Sequence, residues 1–288
     1  MGQRGSSING KYSNYILKKE TIIVILVASV ILVSGNLFEQ SFEHSPNPNI
    51  LYGSDGGRHL ISINQVTGAG TVIAPMSPVP QGRGFVALTF DSLSPEKLWA
   101  GQGSGNSDIY NVDITTGTTT RVGNAGLGST AVNAFENGPG PSCNLYAVLD
   151  RTTSSASNHL VTISKSSGGA ALVGSLGMTG IDAIAFKSDG KLFGVSNVFA
   201  KKGATTKIHE INPSTGAILS TKSVTFTGSN TASPTGGILS IEFDQNDVLY
   251  AGTGKAASGP SSDGGFLGTI DLSTGKFSPK SIAATTGS

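Results

Sequence analysis

Leu51-Tyr52-Gly53 is the first of five copies of one short pattern, in which a leucine precedes an aromatic residue and a small residue. The other copies are Leu98-Trp99-Ala100, Leu145-Tyr146-Ala147, Leu192-Phe193-Gly194 and Leu249-Tyr250-Ala251. The five leucines are separated by 47, 47, 47 and 57 residues. A repeat of about 40 to 50 residues built from short strands is typical of β-propeller blades. The sequence therefore predicts a ring of repeated sheets.

A second strand with a fixed turn follows each copy. These strands are predicted at residues 60–64, 109–113, 160–164, 208–212 and 267–271. Each ends on Asn, Asp or Ser and is followed three residues later by Thr-Gly or Ser-Gly, as Asp113 is followed by Thr116-Gly117. The Asn, Asp or Ser side chain can accept a hydrogen bond from the backbone N–H two residues later. The glycine can take the positive φ that reverses the chain. This pattern predicts a tight turn into a further strand.

An apolar strand also precedes each copy from the second onward, at residues 85–90, 131–135, 181–186 and 237–243. Each blade thus has four strands, named A, B, C and D from the innermost strand outward. Residues 275–288 are too few for another strand A, so blade one is predicted to take its inner strand from residues 36–42. If that segment belongs to a membrane stem instead, blade one has three strands. The predicted fold is an all-β, five-bladed propeller of four-stranded antiparallel blades.

The two ends of such a ring differ in loop length. The A–B and C–D turns share one end, and the stretch from strand C to the Thr or Ser before glycine is seven residues in all five blades. We call this the uniform end. At the other, variable end, the spacing from the strand B leucine to strand C is 9, 11, 15, 16 and 18 residues. Repeat proteins often bind partners on the face that carries the insertions, although long loops also persist simply because lengthening them costs little.

A hydrophobic helix is predicted before the propeller. Residues 1–20 form a basic leader with Arg4, Lys11, Lys18 and Lys19, and residues 21–38 form an uncharged run of 18 residues. That length lies between a signal-peptide core and a full membrane span of about 20 residues. Val33-Ser34-Gly35 would allow cleavage, whereas the long leader favours an uncleaved anchor. In both cases residues 39–288 are predicted on the outer side of the cell membrane, or secreted.

The composition excludes some classes of function. Charged residues make up 13% of the chain, against about 25% in typical domains, which suits an extracellular protein. Residues 36–288 carry 15 basic and 17 acidic side chains, so no nucleic-acid partner is predicted. Cys143 is the only cysteine, which excludes an intrachain disulfide.

Two of the turns carry a family resemblance. The segments Ile211-Asn212-Pro213-Ser214-Thr215-Gly216 and Ile270-Asp271-Leu272-Ser273-Thr274-Gly275 resemble the YVTN and quinoprotein-like (PQQ-like) propeller repeats of prokaryotic surface or periplasmic proteins. The resemblance implies a fold and a compartment but not a substrate. Quinoprotein blades repeat a tryptophan motif, whereas Trp99 is the only tryptophan here. No cofactor is therefore predicted.

Candidate binding residues fall in the variable-end loops and strand ends, and no catalytic or metal-binding set is predicted. His59 and His159 both lie one residue before strand C, but the matching Asp108, Lys207 and Phe266 do not complete a metal site. The basic side chains there would suit an anionic polysaccharide or a surface protein. The candidates are Arg58, His59, Arg83, Asp108, Arg151, His159, Asp182, Lys201, Lys202, Lys207 and Lys255.

Two functions remain open. The first is a membrane-anchored or secreted binding or scaffold module without enzymatic activity. The alternative is a propeller hydrolase or lyase that acts on saccharides or lactones at the central channel, which needs titratable groups close together at the channel mouth. The strand A candidates are Asp182, Glu242, Asn133 and Ser240, and only Asp182 lies near the variable end. The binding function is therefore favoured.

Overall fold

The protein is a set of five β-sheets in a computed structural model, which describes residues 50–54, 58–64, 70–78, 84–91, 94–103, 105–139, 144–151, 157–200, 203–226, 237–244, 246–253 and 266–282. The regular elements in these ranges are all strands. Within them, no helix is long and apolar enough to cross a membrane. The predicted N-terminal helix and the predicted strand A of blade one lie outside the described residues.

Each sheet follows the chain order, with every strand antiparallel to the one before it. Blade one consists of β1 (Ile50–Ser54), β2 (His59–Asn64) and β3 (Gly70–Pro75). Blade two consists of β4 (Phe85–Asp91), β5 (Ser94–Gln102), β6 (Asp108–Asp113) and β7 (Thr119–Asn124). Blade three consists of β8 (Ser129–Asn137), β9 (Leu145–Arg151), β10 (His159–Ile163) and β11 (Ala170–Ser175).

Blade four consists of β12 (Ile181–Phe186), β13 (Leu192–Ala200), β14 (Gly203–Ile211) and β15 (Ile218–Ser223). The short β16 (Thr225–Phe226) leaves blade four and pairs in parallel with the outer strand of blade five. Blade five consists of β17 (Ile238–Phe243), β18 (Leu249–Thr253), β19 (Phe266–Asp271) and β20 (Lys276–Ile282).

The blades are arranged as a propeller around their first strands. The strands β4, β8, β12 and β17 contact one another in chain order and form the inner ring. Four apolar clusters lie between successive blades, one at each junction from blades one and two to blades four and five. The predicted all-β, five-bladed architecture is confirmed, with four strands in most blades.

The repeated aromatic residue of strand B joins each blade to the next one. Tyr52 packs edge-on against Phe90 of blade two, with ring centroids 5.5 Å apart. Tyr146 meets Phe186 of blade four at 5.1 Å in the same way, and Phe193 meets a blade-five phenylalanine at 5.5 Å. Aromatic pairs in such geometries stabilise a fold beyond the area they bury. The leucine–aromatic pattern is therefore the signature of the contact between blades.

The contact between blades two and three departs from this pattern. Strand β8 extends two residues past the predicted end at residue 135, and Asn137 rather than Phe135 lies opposite Leu145. The Asn137 amide donates to the backbone of β4. The indole Nε1 of Trp99 donates to Asp91 Oδ2 at 3.0 Å. Trp99 is 2% exposed, so the prediction that it fills the aromatic position in the core is confirmed.

The C–D turns form as predicted. Asp113 Oδ1 accepts hydrogen bonds from the backbone N–H groups of Thr115 and Thr116, each at 2.8 Å. Asp271 and Asn212 accept equivalent bonds in blades five and four. The glycines that end the turns have φ between 69° and 74°, which residues with a Cβ rarely adopt. They are Gly117, Gly168, Gly216 and Gly275.

Each described C–D turn also docks against the outer strand of the preceding blade. The carbonyl oxygen of Ser167, in blade three, faces Gly123 of blade two so closely that a Cβ atom there would collide with it. The carbonyl oxygen of Thr215, in blade four, faces Gly174 of blade three in the same way. These turns therefore have a fixed shape because they are part of the contact between blades.

Backbone hydrogen bonds reinforce this docking. The Ser77 N–H donates to the carbonyl of Gly117 at 3.1 Å, and the Thr119 N–H donates back to Ser77 at 2.8 Å. Between blades four and five, the Thr225 N–H donates to the carbonyl of Gly275 at 2.9 Å. The segment that leaves one blade is thereby bonded to the outer turn of the next.

Gly174→Ala is expected to lower the free energy of unfolding by about 2 kcal/mol or more, because the added methyl group must displace the backbone of Thr215. Gly169→Ala is the matched control, since its Cβ would meet only Ser167 Oγ at 3.4 Å. Urea unfolding of the full chain measures both. Equal midpoints for the two variants would show that the close approach at Gly174 does not constrain the fold.

Candidate functional site

Polar side chains join the blades at the variable end, where each inner strand begins. A glycine with positive φ precedes each described strand A, and a Ser or Asn of the preceding blade bonds the backbone of the first strand residue. Ser54 Oγ donates to the carbonyl of Phe85 at 3.1 Å, and Asn158 Oδ1 accepts from the Ile181 N–H at 2.9 Å. This end of the inner ring is therefore ordered by side-chain hydrogen bonds. The four glycines are Gly84, Gly128, Gly180 and Gly237.

Asn197, on β13, is the most extensively bonded of these side chains. Its Oδ1 accepts from the Ile238 N–H at 3.0 Å and from Thr206 Oγ1 at 2.7 Å. Its Nδ2 donates to the Ile238 carbonyl at 2.6 Å and to Asp182 Oδ2 at 2.7 Å. An amide side chain offers two donors and two acceptors, so the hydrogen-bonding capacity of the Asn197 side chain is fully used. It holds Asp182 of blade four and the start of blade five in fixed positions.

A second amide and carboxylate pair lies one blade earlier. Asn158 precedes β10 and is buried, and its Nδ2 donates to Asp150 Oδ1 near the end of β9. The same amide binds the first residue of β12, directly before Asp182. We call the four residues Asp150, Asn158, Asp182 and Asn197 the Asp182 cluster.

The two carboxyl groups of the Asp182 cluster influence each other. Burial raises the pKa of Asp182 to about 7 from its ordinary value of 3.8. The hydrogen bond from Asn197 opposes this shift, and the nearby charge of Asp150 adds to it. Since a carboxyl group is a donor when protonated and an acceptor when ionised, Asp182 can offer either to a ligand near neutral pH.

The Asp182 cluster suits hydrogen bonding or proton transfer better than metal binding. Among the described residues, no group of three or more His, Cys, Asp and Glu side chains could hold a metal ion. The two carboxyl groups, held in place by the amides, can bind the hydroxyl groups of a saccharide. A carboxyl that is protonated at neutral pH can also act as a general acid.

Asp108, a predicted site residue, is enclosed within its own blade. Arg121 donates to its two carboxylate oxygens at 2.8 and 2.9 Å, and Asn124 and Asn106 donate at 2.8 and 2.9 Å. Burial would raise the pKa of Asp108, but the hydrogen bonds and the Arg121 charge outweigh burial and lower it. Asp108 therefore stabilises the variable end of blade two.

The other predicted site residues do not gather into one cluster in the described part of the chain. His59 is half-buried at the start of β2, His159 is buried at the start of β10, and Lys207 is exposed on β14. Arg58 precedes β2 and its carbonyl accepts the Met76 N–H at 2.8 Å. Arg151 ends β9. Arg83, Lys201, Lys202 and Lys255 lie outside the described residues.

Blade four also contains a buried serine and histidine in contact. Ser196 Oγ lies 2.8 Å from His209 Nε2, and Thr221 Oγ1 lies 2.9 Å from His209 Nδ1. Burial, with a smaller effect of the Lys207 charge, lowers the pKa of His209 to about 4, so the ring is neutral at pH 7. Ser196 and His209 are 3% and 2% exposed. Both side chains are bonded within blade four, so these residues stabilise the sheet.

The sequence indicated Asp182 but not its partners. Asp150 lies near the end of β9 and Asn158 in the loop before β10, where polar residues are expected in any case, and Asn197 lies within β13. The sequence signal for this contact was the glycine before each strand A. The residue after that glycine is the one whose backbone is bonded by a polar side chain of the preceding blade. Asn158 and Asn197 could be recognised only once the contact between the blades was known.

Comparison with known proteins supports the fold alone. No family model matches the chain, and no curated protein matches its sequence. A protein of unknown function from Dyadobacter fermentans is 8% identical, with 93% of this chain and 88% of that chain covered and a TM-score of 0.52. A bifunctional GH43-CE protein of Bacteroides eggerthii is 12% identical, with 93% and 35% covered and a TM-score of 0.51.

The chain is also similar to the WD40 β-propeller domain of Doa1, at 12% identity, 88% and 85% coverage and a TM-score of 0.42. Likenesses at such low identity say nothing about substrate or partner. The protein is therefore defined as a five-bladed β-propeller, and the resemblance to YVTN and quinoprotein-like repeats stays a prediction.

Wild-type stability is expected to fall as the pH rises from about 4 to about 7, relative to an Asp182→Asn variant. The folded carboxyl has the higher pKa, so the folded state binds more protons in this window. The full shift of the Asp182 pKa corresponds to a change of at most about 4 kcal/mol in the free energy of unfolding. Contact of Asp182 with water reduces this change. Urea unfolding at several pH values measures the difference.

Asp108→Asn is the control of opposite sign. The pKa of Asp108 is lowered in the folded state, so its contribution to stability is present above the unfolded pKa and is lost as the pH falls through the folded value. Parallel pH profiles for wild type and Asp182→Asn would contradict a raised pKa at Asp182.

Proposed function

We propose that the chain is an extracytoplasmic propeller, anchored in the cell membrane or secreted, that binds a surface polymer or a surface protein without catalysing a reaction. The observation that carries the proposal is a difference between the two ends of the ring. The described turns at the uniform end dock against neighbouring blades. The variable end instead holds the Asp182 cluster beside loops of unequal length.

The Asp182 cluster is suited to ligand recognition because its groups are already fixed. Asn197 and Asn158 bond the two carboxyl groups and the backbone of the next blade at once. A ligand therefore meets oriented hydrogen-bonding groups and need not order them, and such preorganisation raises affinity. Saccharide hydroxyl groups are the partners that carboxyl and amide groups of this kind would bind.

The choice of partner follows from the basic residues as well as from the cluster. Lys207 is exposed on β14 and pairs with Ser196 on β13, the residue before Asn197, so it lies on the opposite face of blade four from Asn197. Basic side chains at the variable end suit an anionic polysaccharide or an acidic surface protein, with affinity that falls as salt rises. The basic leader and hydrophobic segment at residues 1–38 support a location on the outer side of the membrane.

A hydrolase or lyase that acts on saccharides or lactones is the second candidate, and one observation favours it. The pKa of Asp182 is about 7 and the carboxyl of Asp150 is close enough to raise it. A carboxyl group that is partly protonated near neutral pH can act as a general acid. This candidate requires turnover and not only binding.

Asp182→Asn is expected to weaken polysaccharide binding about tenfold, because the ionised carboxyl group accepts charge-assisted hydrogen bonds and a neutral amide does not. The full-length protein would be titrated calorimetrically with an anionic and a neutral polysaccharide, and the mixtures would be analysed for products by chromatography. Asp113→Asn, in the C–D turn of blade two and outside the Asp182 cluster, is the matched control and should bind as the wild type does, since an amide oxygen can replace the acceptor in the turn.

The outcomes separate the two candidates. Binding that Asp182→Asn weakens, without products, supports the binding function. Products that appear with wild type and disappear with Asp182→Asn replace it with the hydrolase or lyase. Equal affinity of wild type and Asp182→Asn for every polysaccharide would remove the Asp182 cluster from the function.

A further inference from the structure

The junction between blades four and five differs from the others at one residue. In blades one, two and three, the outer-strand residue opposite the first apolar residue of strand C is small: Ala74 opposite Leu60, Gly123 opposite Ile109 and Gly174 opposite Leu160. In blade four the residue in that position is Lys222, opposite Ile208. A long side chain therefore stands where the other junctions need a small one.

Lys222 reaches across the junction to the C–D turn of blade five. Its Nζ donates to the carbonyl of Leu272 at 2.8 Å and also to the carbonyl of Ser273. Its aliphatic carbons lie 3.0 and 3.2 Å from where a Cβ of Gly275 would stand. The lysine thus adds side-chain support to this turn, whereas Gly123 and Gly174 leave room for the backbone of the turns in blades three and four.

A half-open cavity of about 560 Å³ lies beside Lys222. Phe193, Ile208 and Leu272 supply apolar parts of its wall, and Ser220 and Ser273 lie at its polar edge. The volume falls within the range of roughly 300 to 1,000 Å³ that is usual for small-molecule sites. The junction is therefore large enough to hold a ligand the size of one or two sugar rings.

The charge around this cavity is uneven. Lys187 is paired with Asp189 at 3.1 Å and with Asp247 at 3.0 Å. Lys191 lies 3.4 Å from a Glu210 oxygen. Lys222, by contrast, contacts carbonyl oxygens, which carry no formal charge.

An ammonium group has three N–H donors, and the two carbonyls of the blade-five turn account for two of those on Lys222. One positive charge and one donor are left for a ligand. A single carboxylate matches both, and sugar hydroxyl groups match the hydroxyl side chains of the wall.

We propose that this cavity binds a uronic acid residue of an acidic saccharide, with its carboxylate on Lys222 and its ring against the apolar wall. The site is independent of the Asp182 cluster, since it is lined by turns of the uniform end. It adds a second place on the ring where a polymer can be held.

Blade two provides an internal comparison. Lys97 precedes the strand B leucine, as Lys191 does in blade four, and it lines a smaller cavity of about 370 Å³ with Asp113 and Thr120. Gly123 occupies the position of Lys222 in that blade. Lys97 thus lies beside a similar cavity that has no lysine on the outer strand, whereas the proposed site is defined by such a lysine.

The test is calorimetric titration of the full-length protein with trigalacturonate, with maltotriose as the neutral trisaccharide and with inorganic phosphate. Trigalacturonate is expected to bind at least several-fold more tightly than the other two. Lys222→Gln should weaken this binding roughly tenfold, since a hydrogen bond to a charged group is lost while the amide can still donate to the turn. Lys222→Arg should retain most of the affinity, and Lys97→Gln should leave it unchanged.

Ser220→Phe fills the cavity without a change of charge, and it keeps the proposal falsifiable if Lys222→Gln alters the fold. It should abolish trigalacturonate binding. Equal binding of trigalacturonate and maltotriose, tighter binding of phosphate, or equal losses for Lys222→Gln and Lys97→Gln would each overturn the proposal. Loss of binding in Asp182→Asn with none in Lys222→Gln would place the acidic saccharide at the variable end instead.

Discussion

The close approach between a backbone carbonyl of one blade and the outer strand of the preceding blade constrains the rest of this propeller. Gly123 and Gly174 permit the approach because neither has a Cβ, and Ser167 and Thr215 supply the carbonyl oxygens. A turn held in this way cannot change its length without losing the contact. The constant spacing at the uniform end is therefore a result of packing. The B–C loops at the opposite end carry no such constraint and differ in length from blade to blade.

Much of the fold could be predicted because its repeating parts have local causes. The turn at Asp113 depends only on that side chain and on the glycine that ends the turn. The place of the aromatic residue depends only on the alternation of side chains along strand B. The end of β8 was predicted wrongly, because Phe135 matches the phenylalanine that ends the other inner strands in sequence. In the structure Asn137 lies opposite the strand B leucine, where the other described blades have phenylalanine, and Trp99 bonds Asp91.

The candidate site was predictable only in part for a related reason. Asp182 stands out because it is an acidic residue near the start of an apolar inner strand. Asn197 and Asn158 act through backbone groups of the following blade, some 41 and 23 residues away along the chain. Lys222 likewise can be recognised as unusual only by comparison with the small residues at the equivalent position of other blades. Such contacts depend on how blades meet, and a single repeat does not reveal that arrangement.

The parallel pairing of β16 with β20 also affects how separate molecules meet. The outer strand of a blade presents unpaired backbone groups, and an exposed edge of this kind invites a strand from another chain. Thr225 and Phe226 pair with Lys276 and Phe277 and so cover that part of the edge in blade five. The Phe226 ring also lies 5.3 Å from the Phe277 ring, which anchors the covering segment. Two extra residues at the end of blade four thereby protect the last blade from edge-to-edge aggregation.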